Sequence, residues 1–78
     1  MALTRAQCRA ARALLGITQV QLAHKSGVSL RTIASFEAKE HDPIPANLAA
    51  MRRALESSGV IFLDSNGEGP GVRLKARR

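Results

Sequence analysis

The strongest constraint on this chain lies between Thr18 and Glu37, in the run TQVQLAHKSGVSLRTIASFE. Thr18 is a residue type that caps helix starts, and Gln21 follows it at the third position. In that pattern hydroxyl and amide side chains satisfy each other's backbone N–H groups. A helix starting there is short, because Ser26-Gly27 breaks it after about two turns. Val20, Leu22 and Ala23 supply its apolar surface. Ser29 can cap a second helix, in which Ile33 and Phe36 point inward at i, i+3. Leu30, Arg31, Ala34 and Ser35 are left on its other faces, so this helix carries few large apolar residues. Two short helices about a tight turn are predicted, the second with its outer surface reserved for a partner.

The flanking sequence builds a frame for that pair. Thr4 caps a helix running to Leu15, with Gln7 as the second member of a capping box. Cys8, Ala11 and Leu15 share one face of it, with Leu14 beside them, and Gly16 supplies the stop. Residues 39–44 form a polar loop. Pro45 then suits the first position of a fourth helix, which runs to about Ser57 and buries Leu48, Met51 and Leu55. Arg52 and Arg53 are read on its outside, and Gly59 closes it. Val60 to Leu63 is an apolar run too short for a helix, DSNGEGPG from Asp64 to Gly71 is dense in turn formers, and residues 72–75 alternate with period two. These features predict a β-hairpin with a Gly-rich loop. An isolated hairpin is marginal in water, so this one must pack on the helices or pair with another strand. The expected fold is mainly α. Four helices form one domain over residues 1–59, with the central helices at about 18–25 and 29–38, and residues 60–78 form a small C-terminal β-hairpin and basic tail.

DNA is the partner that charge and side-chain chemistry favour. Twelve Lys and Arg against six Asp and Glu give a net charge of +6, which suits nucleic acid, an acidic protein or a membrane surface. From Met1 to Phe36 the charged residues are Arg5, Arg9, Arg12, Lys25 and Arg31, with no acid among them. Arg5 is read as solvated, Arg9 as either solvated or phosphate-binding, and the tail residues Arg73, Lys75, Arg77 and Arg78 as solubilising charge first and nonspecific phosphate contacts second. A helix-turn-helix sets its second helix in the major groove and braces the first against the backbone. Gly27 provides the turn, and Ala23, Val28 and Ile33 the interhelical contact. Arg31 can reach guanine O6 and N7, Leu30 and Ala34 can meet a thymine methyl, and Ser35 can donate or accept. Thr18, Gln19, Ser29, Thr32 and Lys39 are the candidate phosphate contacts, the first three at helix starts where free N–H groups favour anions.

Other classes lack support. His24, His41 and Cys8 are too scattered for a metal site, and no cofactor is expected. Cys8 has no third group to make it a catalytic nucleophile with His24, and no helix follows Gly67, Gly69 and Gly71 to form a phosphate-binding loop. The chain is therefore not read as an enzyme. A single cysteine fits a reducing compartment. With no signal-like or membrane-spanning run, the expectation is a cytoplasmic protein without a membrane partner.

Arg12, Gln19, Leu22-Ala23, Gly27-Val28-Ser29, Ile33 and Glu37, at these spacings, resemble the Xre family of helix-turn-helix regulators, similar to the DNA-binding domains of phage Cro and repressors. The resemblance covers roughly residues 4–57. It implies a Cro/repressor-like four-helix fold, a buried ion pair between Arg12 and Glu37, a phosphate contact at Gln19, and Leu30, Arg31 and Ser35 facing the bases. Leu30 departs from the pattern, since many relatives carry a polar residue there. The C-terminal part resembles short bacterial members that end in a similar Gly-rich hairpin. The expected function is a sequence-specific double-stranded DNA-binding transcriptional regulator, a repressor on a pseudo-palindromic operator. Chains this small gain stability by pairing with a copy. The expected homodimer uses Ile61 and Leu63 and sets its third helices about 34 Å apart. The alternative is an antitoxin or other interaction module, whose hairpin would hold a toxin protein instead.

Overall fold

Capping side chains determine where the first helices begin. The computed structural model describes residues 2–64, 67 and 69–76. They form α1 (Arg5–Leu15), α2 (Gln19–Ser26), α3 (Leu30–Glu37), α4 (Pro45–Ser57), β1 (Val60–Leu63) and β2 (Gly71–Leu74). Thr4 Oγ1 accepts from the Gln7 amide at 3.1 Å, and Gln7 Oε1 accepts in return from the Thr4 amide at 3.1 Å. Thr18 and Gln21 repeat the exchange at the start of α2, at 3.1 and 2.8 Å. Leu3 precedes the first cap and is buried together with Cys8, an apolar clasp across the helix start. Gly27, at φ 75°, ends α2 in the left-handed conformation that a side chain would strain.

Leu22, Ile33, Met51, Leu55 and Cys8 are fully buried and join all four helices in one core. The hairpin belongs to the same core. Val60 and Phe62 turn inward, while Ile61 is half-buried and Leu63 exposed on the opposite face, as the two-residue period of a strand requires. β1 and β2 pair antiparallel, with Val60 opposite Leu74 and Leu63 opposite Gly71.

Gln7 ties this hairpin to α1. While its Oε1 serves the cap, its Nε2 donates to the carbonyls of Gly71 at 3.1 Å and Leu63 at 3.4 Å. One buried amide therefore satisfies the helix start and the loop end of the hairpin together, because each of its polar atoms needs a partner once water is excluded. Gln7→Ala removes the reciprocal half of the cap and both side-chain bonds that tie the hairpin to α1. It is expected to lower the unfolding free energy by about 1–2 kcal/mol in urea titration.

The structure corrects several expected positions. Leu14 and Val20 do not pack inward but are 43% and 49% exposed. Val20 sits two residues before the buried Leu22, which places it on the opposite side of α2. Leu48 is half-buried. Arg5 is not merely solvated: its partly exposed guanidinium pairs with Asp42 at 2.5 Å and lies 5.2 Å from the centre of the Phe36 ring. Arg52 does not point outward either. It lies over the Phe62 ring at 5.1 Å and donates to Glu56 at 3.3 Å, so its stem covers the hairpin. Of the predicted loop and tail, Ser65, Asn66, Glu68, Arg77 and Arg78 lie outside the described residues.

Candidate nucleic-acid interface

The α2–α3 pair is held in place by one carboxylate. Glu37, the last residue of α3, has a side chain only 5% exposed and meets Arg12 of α1 in a two-point pair. Arg12 Nε donates to Oε2 at 2.7 Å and Nη2 to Oε1 at 2.5 Å. Gln19 Nε2 donates to Oε1 at 3.1 Å, and Cys8 Sγ donates to Oε2 at 3.2 Å. Arg12 Nη1 also donates to the Ile17 carbonyl at 3.2 Å, just ahead of α2. One carboxylate thus connects α1, the start of α2 and the end of α3.

The charge states follow from this geometry. Burial alone would raise the Glu37 carboxyl, but the hydrogen bonds from Arg12, Gln19 and Cys8 and the attraction of Arg12 outweigh it and hold the group below the usual carboxylate range. The hydrogen bond to Glu37 raises Arg12 against the opposing effect of burial. Burial first, then the hydrogen bond to Glu37, pushes the Cys8 thiol far up, so it acts as a neutral donor. Sequence reasoning placed Cys8 on the apolar face of α1 and missed this role. The available signal was weak: a thiol can serve either as a small hydrophobe or as a hydrogen-bond donor.

Gln19 therefore starts from a fixed position. One of its amide protons is committed to Glu37, which leaves the other for an acceptor outside the protein. Ser29 caps α3 by accepting from the Thr32 amide at 3.1 Å, and the two hydroxyls share a bond of 2.9 Å. That arrangement uses one hydroxyl proton and leaves one. Thr18 Oγ1 accepts within its cap and keeps its own proton to donate. Donor groups are thus preset at the starts of α2 and α3.

On α3, Ile33 and Phe36 are buried, whereas Leu30 and Arg31 are exposed and Ala34 and Ser35 half-buried. Arg31, Thr32 and Ser35 form one wall of an open cleft of about 300 Å³, with His41, Ile44 and Asn47 opposite. The Ser35 carbonyl accepts from the amides of Glu40 at 2.8 Å and His41 at 3.4 Å, which folds the next loop back over the end of α3. Lys39 sits in that turn, exposed and in the left-handed conformation at φ 65°. Ile61 and Leu63 lie on the hairpin's outward face, away from the core to which α3 contributes.

Among the described residues no group of three His, Cys, Asp or Glu side chains converges as a metal site would require. No helix there is long and apolar enough to cross a membrane. A family model described as helix-turn-helix matches residues 9–62, a span that includes all of α2 and α3. No curated protein matches the chain.

Proposed function

The chain belongs to the helix-turn-helix family of DNA-binding regulators, and from that premise we propose that it represses transcription by binding a pseudo-palindromic operator as a homodimer. The observation that carries this reading is the exposed Arg31 on a helix whose other side is anchored by Ile33, Phe36 and Glu37. A guanidinium on a helix so fixed can present two parallel donors to guanine. Leu30, Ala34 and Ser35 complete the base-facing set. Thr18, Gln19, Ser29, Thr32 and Lys39 hold the phosphates and fix register. Arg5 and Arg12 are paired with Asp42 and Glu37. Residues 1–36 nevertheless contain no acid of their own and add Arg9, Lys25 and Arg31, a positive balance that favours approach to a phosphate backbone. The protein acts in the cytoplasm, where it needs neither cofactor nor catalysis.

Ile61 and Leu63 form the dimer contact. They are the two outward-facing residues of β1, and a hairpin edge with apolar side chains favours pairing with a second copy. Selection of bound sequences from a random DNA library at physiological salt tests the whole reading. A palindrome with half-sites about 10 bp apart is the expected result. Enrichment of nothing, with steep salt dependence, would mean backbone binding alone. A monomer in sedimentation at high concentration, with and without DNA, would remove the dimer.

Gln19→Ala separates positioning from reading. Loss of a neutral phosphate donor is expected to weaken all DNA sequences by a similar factor, about 1 kcal/mol, while the salt slope stays unchanged. A loss confined to one base pair in competition binding would instead make Gln19 a reader.

A further inference from the structure

Val20 and Leu30 are 49% and 43% exposed. They line one open groove of about 470 Å³ between α2 and the start of α3, with Ala23, Gly27 and Val28 also contributing. Isolated exposed apolar residues need no explanation. This pair is different in its location, because each residue lies within the first turn of a helix whose cap, Thr18 or Ser29, presents polar donors. Leu30 also directly precedes Arg31.

We propose that Val20 and Leu30 form a methyl-reading pocket that selects a 5-methylpyrimidine, thymine, in the major groove. The inference rests on the DNA-binding reading above and names one chemical feature that reading must include. The pyrimidine C5-methyl is the apolar group on the major-groove edge of the bases. An apolar pair on a surface facing that groove has this group as its matching target. Continuity supports DNA as the occupant: Ser29, one of the proposed phosphate donors, lines the groove itself, and Arg31 directly follows Leu30 on α3. Scale supports it as well. Two half-exposed side chains fall far short of the roughly 1,000 Å² a specific protein interface needs, but they suffice to cover a methyl. Val20 thereby gains a role in specificity, which accounts for a large apolar residue on the outside of α2.

The test uses the full chain and the operator obtained by library selection. Each thymine is replaced in turn by deoxyuridine, which deletes only the C5-methyl. At one or two thymines per half-site the replacement is expected to weaken binding about fourfold, the factor for burying one methyl-sized group. Leu30→Ala and Val20→Ala should abolish that sensitivity at those positions while preserving thermal stability and salt slope, since both side chains are half-exposed. Indifference to every deoxyuridine, or a sensitivity that survives both substitutions, overturns the inference alone. Enrichment of no sequence overturns base reading itself and the pocket with it.

Discussion

Arg12→Ala is expected to lower the unfolding free energy by about 3–5 kcal/mol, the usual cost of stranding a buried charge. The carboxylate it abandons is that of Glu37, with a side chain only 5% exposed. Gln19 and Cys8 would still donate to it, but neither carries a positive charge. For a domain of 78 residues the loss is a large share of a total on the order of 4–12 kcal/mol. The melting temperature should fall by at least about 12 °C. Replacing both partners, as Arg12→Met with Glu37→Leu, removes the stranded charge and should restore most of the stability. If the double variant is no more stable than Arg12→Ala, the cost lies in lost packing and not in the charge.

The same carboxylate makes stability depend on pH with a definite sign. Its folded pKa lies below the ordinary value, so as acid is added the unfolded chain takes up the proton first. The contribution is full at neutral pH. It begins to fall below about pH 5 and is lost as the pH drops through the folded pKa. Glu37→Gln should flatten that acid limb in pH-resolved denaturation, at the cost of lower stability at pH 7.

Local chemistry explains why most of the architecture was legible. Thr4 with Gln7 and Thr18 with Gln21 announce two helix starts, Gly16 and Gly27 two stops, and Pro45 a third start, each through backbone rules that operate within a few residues. The four apolar residues from Val60 to Leu63 marked a strand, but their period could not say which pair faced inward. That choice depends on α1 and α4, where Val60 and Phe62 find the core. Arg5 and Arg52 looked solvated because an isolated helix gives a guanidinium nothing else to touch. Phe36, Asp42 and Phe62, brought close by the fold, supply the missing partners. Gln7 and Cys8 were each legible in one role, cap and apolar filler. Their second roles depend on the Gly71 and Leu63 carbonyls and on Glu37, groups remote in sequence that only folding brings within reach. Val20 was misplaced for a related reason: apolar character suggested burial, whereas helix phase put it outside.

Arg31→Ala should cost about 1–3 kcal/mol on the selected operator and relax preference at a single base pair in each half-site. The size of the loss comes from paired donors meeting paired acceptors at guanine, a match that water cannot reproduce once the groove is closed. Arg31 is exposed and the helix beneath it is held by Ile33, Phe36 and Glu37, so the variant should fold normally and the loss can be read as binding energy. A phosphate contact would behave differently. Its removal would weaken every sequence alike and reduce the salt slope by about one counterion. Competition against all single-base variants of the operator, repeated at several salt concentrations, separates the two. A flat loss across variants with a reduced slope would reassign Arg31 to the backbone and leave Ser35 and the Val20–Leu30 pair to carry specificity. Loss confined to guanine at one position would establish α3 as the helix in the groove, because a side chain can discriminate a base edge only where its own helix lies.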